Sequence, residues 1–155
     1  MSKIQVAPNA AGTGSFTITS PNSNTDRSFT LPDVSGTATV LEAAQTFTAG
    51  QRGEITSLTD AASITIDLAD SNNFAVTLGG NRTLENPSNT AAGQCGSIFL
   101  VQDGTGSRTL SFGSSYEFIG GTAPTLSTAA STVDRLDYIV RTSTAIHCVF
   151  TAAYS

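Results

Sequence analysis

The chain has no tryptophan, one methionine, one histidine and two cysteines in 155 residues, and only 12% of it is charged. Each scarcity closes a class of function. Lys3 is the sole lysine and the arginines are scattered, so no basic stripe exists to neutralise a phosphate backbone. With a formal net charge of −5, nucleic acid is not an expected partner. No apolar run approaches the roughly 18 residues of a membrane span, so membrane insertion is not expected either. Met1-Ser2-Lys3 leads into no hydrophobic region, which leaves the N-terminus without a signal-peptide pattern. Cys95 and Cys148 sit in no CxxC or metal-ligand spacing. They read as two buried free thiols acting as small hydrophobes, with a disulfide left open because it requires neighbouring strands.

What is abundant points to β-structure. There are 19 Ser, 24 Thr and 14 Gly; Thr favours strands, while Gly and Ser favour turns. Ser97 to Val101 is apolar on both faces, as in a central covered strand. Asp103-Gly104-Thr105-Gly106-Ser107 supplies turn residues, and Leu110 and Phe112 alternate on return, which predicts a central hairpin. Ile64, Ile66 and Leu68 alternate, as do Phe74, Val76 and Leu78. Val133 to Arg141 and Ala145 to Ala153 read as two long closing strands around Thr142-Ser143-Thr144. Eight to ten strands at this spacing predict an all-β fold, an antiparallel β-sandwich of jelly-roll type, over residues 45–155. Residues 1–44 carry three short runs, at Ser15–Thr19, Ser28–Leu31 and Thr37–Leu41. Their apolar set (Phe16, Ile18, Phe29, Leu31, Val40) is too small for its own core. This predicts a β-rich docking and oligomerisation segment.

Chemistry is sparse. His147 and Cys148 are adjacent in a strand and would point to opposite faces, which defeats a nucleophile–base pair. Asp134 and Asp137 would also face opposite sides, unlike a glycosidase pair. The chain shows no fixed period of the kind long β-helical polysaccharide-degrading enzymes carry. Asp67 and Asp70 bracket a turn beside Asn72 and Asn73, an oxygen-rich cluster that matches no calcium-loop spacing and reads as turn chemistry. Gly104-x-Gly106 opens no helix and is no phosphate loop. Asn81-Arg82-Thr83 fits a glycosylation sequon without a secretory signal. Arg108, Arg135 and Arg141 are expected to pair with Asp103, Asp134 or Asp137. Tyr116, Phe118 and Tyr138 fit a core or its rim. No catalytic, cofactor-binding or metal-binding residues are assigned, no cofactor is expected, and the chain is not read as an enzyme.

The run GTGSFTITSPNSNTDRSFTLPDVSGTATV resembles a segment repeated in tailed-bacteriophage structural proteins, tail-fibre chains above all. Asp26-Arg27, Thr30-Leu31-Pro32-Asp33 and Gly36-Thr37 carry that likeness. NFAVTLGGNRTLENP, GQCGSIFLVQDGTGSRTLSF and FIGGTAPTLSTAASTVDRLDYIVR resemble a C-terminal domain of phage fibre and other virion proteins. The resemblance implies a non-enzymatic virion structural protein made in the host cytoplasm and displayed on the surface of the tail or capsid. It implies a homotrimer touching other virion proteins, with a host cell-surface glycan or protein as a further partner. A fibre or adhesin-like tail component is the first expectation; a capsid decoration protein of cement or head-fibre type, bound to the major capsid lattice, is the alternative.

Overall fold

Strict alternation decides where the strands form, because successive side chains in a strand face opposite sides. In the computed structural model, residues 11–15, 17–19, 22–26, 28, 46–47 and 50–154 are described. The chain divides into two units, Met1–Gln45 and Thr46–Ser155. In the first, Asn22 to Thr25 turns as its Asn/Ser content predicts, with the Thr25 N–H donating to Ser23 Oγ at 3.1 Å. Ser15, Thr17, Ile18 and Thr19 lie in no strand, and Ile18 is 82% exposed. This corrects the strand expected at Ser15–Thr19: alternation alone makes no strand without an edge to pair with. The runs expected at 28–31 and 37–41 lie outside the described residues, apart from Ser28.

The second unit holds β1 (Ile55–Ser57), β2 (Ser63–Ile64), β3 (Asn73–Leu78), β4 (Arg82–Leu84), β5 (Cys95–Gln102), β6 (Leu110–Phe112), β7 (Tyr116–Phe118), β8 (Val133–Thr142) and β9 (Ala145–Tyr154). A single 3-10 turn, Ile119–Gly121, follows β7. Six strands make a large sheet in the order β1-β3-β5-β8-β9-β7, and three make a small one, β2-β4-β6. The inner faces of both sheets contribute to one core: Ile64, Leu84 and Leu110 from the small sheet join Phe74, Ile98, Leu100, Leu136 and Val140 from the large one. Among the described residues no helix is long and apolar enough to cross a membrane.

The expected all-β class and face-to-face sheets are present, with antiparallel pairing at β5–β8 and β8–β9. The long closing strands form the β8–β9 hairpin where their alternation places them. Five of the seven pairings, however, are parallel, which is not a jelly-roll feature. From β1 to β6 the chain alternates between sheets, and each strand lies parallel to the one two before it. The backbone therefore winds as a flattened coil of three turns. The step from Ile55 to its partner Asn73 is shorter than the step from Asn73 to Ser97, so no fixed period marks the coil.

The predicted central hairpin is thereby overturned: β5 and β6 lie in different sheets. Its turn residues do turn, but through a corner built from side chains. Buried Gln102 accepts from Arg108 N–H at 2.8 Å and donates to Arg108 C=O at 2.9 Å, a side-chain copy of a strand pair. Asp103 Oδ1 accepts from Thr105 and Gly106 N–H, both at 2.9 Å, while Asp103 Oδ2 accepts from Arg108. Gly106 (φ 75°) and Ser107 (φ 58°) take left-handed conformations that rotate the chain toward the small sheet.

β5 lies between β3 and β8, with Ile98 and Leu100 each 1% exposed on its inner face. Gly96 shares that face and pairs with Tyr138, whose hydroxyl donates to Asn72 C=O at 2.9 Å. A Cβ at Gly96 would collide with the Asn72 carbonyl, which is backbone and cannot swing away. Two consequences are measurable by chemical denaturation. Leu100→Ala is expected to cost about 2–5 kcal/mol, since it leaves a cavity in a covered strand. Gly96→Ala is expected to cost about 1–3 kcal/mol through overpacking. Unchanged midpoints would place β5 at the periphery.

Candidate functional surface

The outward face of the large sheet carries the groups that the core does not use. Across β5, β8 and β9 its rows follow from register. Val101 and Val133 align with Tyr154; Phe99 and Arg135 with Thr151; Ser97 and Asp137 with Val149; Cys95 and Ile139 with His147, beside which Glu117 of β7 pairs. Ile139, Val149 and Tyr154 are 49%, 53% and 42% exposed, and Ile119 in the following turn is 85% exposed.

Two hollows flank a charged belt on this face. One, of about 500 Å³, is lined by Glu117, Ile119, Asp137, Ile139, His147 and Val149 among others. The other, of about 290 Å³, lies between Phe99, Val133, Arg135 and Tyr154. Between them, Arg135 Nη2 contacts Asp137 Oδ2 at 2.9 Å and its guanidinium stands 5.4 Å from the Tyr154 ring centroid. Ser97 Oγ donates to the other Asp137 oxygen at 2.6 Å. At the far end, Arg141 Nε donates to His147 Nε2 at 2.9 Å, and that nitrogen is 3.1 Å from Glu117 Oε2. One imidazole nitrogen cannot accept from Arg141 and donate to Glu117 at once, so Nε2 serves one partner or the other according to whether it carries a hydrogen.

The structure separates the residues that the sequence placed side by side. Cys148 is buried and His147 is half-exposed on the opposite face. Burial, with Glu117 adding to it, pushes the Cys148 thiol up to about 12, the reverse of an activated thiolate. Cys95 is exposed, which corrects the expectation of two buried thiols; both cysteines are free. Its outward position in β5 follows from the alternation that buries Ile98 and Leu100. Asp134 is 1% exposed and accepts from Ser127 N–H, Ser127 Oγ and Ala153 N–H, whereas Asp137 faces outward. Asp67 is held by Asn89, which donates to both oxygens at 2.8 Å, and by Ala69 N–H. These bonds, Asn89 first, hold its carboxyl below the ordinary value. Among the described residues no group of three His, Cys, Asp or Glu side chains is placed to hold a metal ion.

Arg108 pairs with Asp103 and Arg135 with Asp137 as expected, while Arg141 turns to Glu117 instead of to either Asp134 or Asp137. Tyr116 and Tyr138 are buried in the core, with Phe118 packed against it. Arg82 of the sequon pairs with Asp60 at 2.6 Å, and Asn81 Oδ1 accepts from Thr109 N–H. Ile119, Ile139, Val149 and Glu117 were not singled out by sequence. The available signal was apolar residues at outward positions, in Tyr138-Ile139-Val140 and Cys148-Val149-Phe150, where a solvated face would carry Thr or Ser.

Residues 59–141 match the family model described as "Putative phage tail fibre C-terminal domain". No curated protein matches the chain, and no solved structure matches it.

The corner at Asp103 gives a pH signature. The Arg108 guanidinium holds its carboxyl down to about 2, opposed by burial and aided by Gly106 and Thr105 N–H. A depressed carboxyl stabilises the fold fully above its unfolded value near 3.8, and that contribution fades as pH falls toward about 2. The wild-type denaturation midpoint should drop over this window, and Asp103→Asn should flatten part of the drop. Identical acid slopes in the two proteins would show that the corner does not couple to folding.

Proposed function

This chain belongs to the phage tail fibre C-terminal domain family, and we propose that it serves the tail as a surface-exposed, adhesin-like fibre component without enzymatic activity. It is a structural protein of the phage virion, associated with other virion proteins. In this reading, residues 1–44 dock and oligomerise the chain as a homotrimer and residues 45–155 project as the β domain. A host-surface glycan or protein is the outward partner. The observation that carries the reading is the match over residues 59–141, which spans β2 to β8. The separation of His147 from Cys148, and of Asp134 from Asp137, supports a binding role over a hydrolytic one. The capsid-decoration alternative draws no support from a tail-fibre match.

Fully burying Phe16, Ile18, Phe29, Leu31 and Val40 between chains would contribute roughly 1.5–3 kcal/mol per side chain. That offsets a large part of the ordering cost, roughly 1–2 kcal/mol per residue of backbone, which a lone chain would meet with no such burial. Deleting residues 1–42 should leave the β domain with a cooperative unfolding transition while abolishing trimer mass in light scattering and incorporation into particles. A truncated protein that still trimerises and joins the particle would move the assembly surface into the β domain.

A further inference from the structure

The first four outward residues of β8 read Val133, Arg135, Asp137, Ile139: apolar, positive, negative, apolar; the fifth, Arg141, lies beyond the last pair and is held by Glu117. The order of the four is its own complement. A two-fold axis passing between Arg135 and Asp137, perpendicular to β8, lays the strand antiparallel on a second copy. Arg135 then meets the partner's Asp137, and Val133 meets the partner's Ile139. In such an isologous contact each pairing occurs twice.

The flanking strands agree with that axis. β9 is paired to β8 with Tyr154 beside Val133 and His147 beside Ile139. The same rotation therefore brings Tyr154 of one copy over the cleft of about 500 Å³ beside His147 in the other. On β5, Phe99 and Ser97 exchange places across the axis, since they flank Arg135 and Asp137 in register. We propose that the outward face of the large sheet is a docking surface for a second copy of this chain, joined face to face about a two-fold axis through the Arg135–Asp137 belt.

Charge and area both favour that occupant. The chain carries a formal net charge of −5, so two copies repel over most of their surfaces. This face instead balances Arg135 and Arg141 against Asp137 and Glu117, all four already paired within it. A strongly basic or acidic partner would find no complementary excess here, whereas a like copy meets opposite charge at each position of the belt. Four strands at about 4.8 Å spacing and about seven residues at 3.3 Å each give a flat footprint of roughly 450 Å² per copy. Two copies approach the roughly 1,000 Å² of a specific interface before side-chain relief is counted.

This contact is separate from the trimerisation proposed for residues 1–44, because a threefold axis cannot lay a face on its own copy. Within the fibre reading it joins different trimers. Light scattering on the full chain tests it with Arg135→Asp, Asp137→Arg and their equimolar mixture. The Arg135→Asp chain presents two carboxylates to its own copy and the Asp137→Arg chain two guanidiniums, so each variant alone should fall to half the wild-type mass. The mixture should regain the full mass, since every belt position then meets its opposite. A far-UV circular dichroism spectrum unchanged in each variant excludes misfolding, because this exposed pair contributes little to the fold. Wild-type mass retained by both variants, or no recovery on mixing, overturns the proposal. A wild-type dimer that falls to monomer would support the face and reject the trimer; a trimer unaffected by either variant would do the reverse.

Discussion

β5 is the strand on which both halves of the domain hang, and it has a parallel neighbour on one side and an antiparallel one on the other. That arrangement is available only if the chain leaves β5 without folding straight back on it. The corner at Gln102–Arg108 provides the exit. A buried Gln costs free energy unless its amide is fully bonded, and here both ends of the amide are spent on the Arg108 backbone. The hairpin hydrogen bonds that a return strand would have made are replaced by one side chain. The edge of β5 is thus left free for β8, and β6 is delivered to the small sheet.

Asp134 does the corresponding task on β8. It sits on the inner face opposite Leu100, where an unpaired carboxylate would be costly. Its oxygens accept from Ser127 and from the Ala153 backbone near the end of β9. The loop before β8 and the last strand after it are therefore tied to one buried group. Among the described residues no buried side-chain nitrogen or oxygen lacks a partner. A three-turn coil can accordingly close on an antiparallel hairpin without leaving polar groups stranded at the junction.

Much of this was legible in the sequence where one face is solvated. The β8–β9 hairpin and the burial of Phe74, Val76 and Leu78 follow directly from alternation. Pairing direction was not legible, because alternation fixes which face is buried and says nothing about which strand lies alongside. Asp103-Gly104-Thr105-Gly106-Ser107 has the composition of a hairpin turn, and only the reach of Gln102 across six residues diverts it. The unequal turns of the coil hid the repeat for the same reason: loop lengths differ while the rungs stack. Of the outward face, Arg135 was read as an ion-pair residue. Ile139 and Val149 do not stand out in the sequence because the residues on both sides of each belong to the core or pack against it.

The core and the outward face are chemically independent even though they share strands. Tyr138, Val140 and Cys148 face inward at positions where packing tolerates little change. Arg135, Asp137 and Ile139 occupy the alternate positions on the same backbone, where substitutions leave the core untouched. A strand of ten residues such as β8 therefore carries two separate patterns at period two, one specifying the fold and one specifying what meets it. In a Ser/Thr-rich protein the solvated default at outward positions is hydroxyl. At the first four of its five outward sites β8 departs from that default with Val, Arg, Asp and Ile, in an order that mirrors itself with charge reversed, and Arg141 follows at the fifth. Folding alone does not require such an order, since Thr at those sites would serve the sheet equally well.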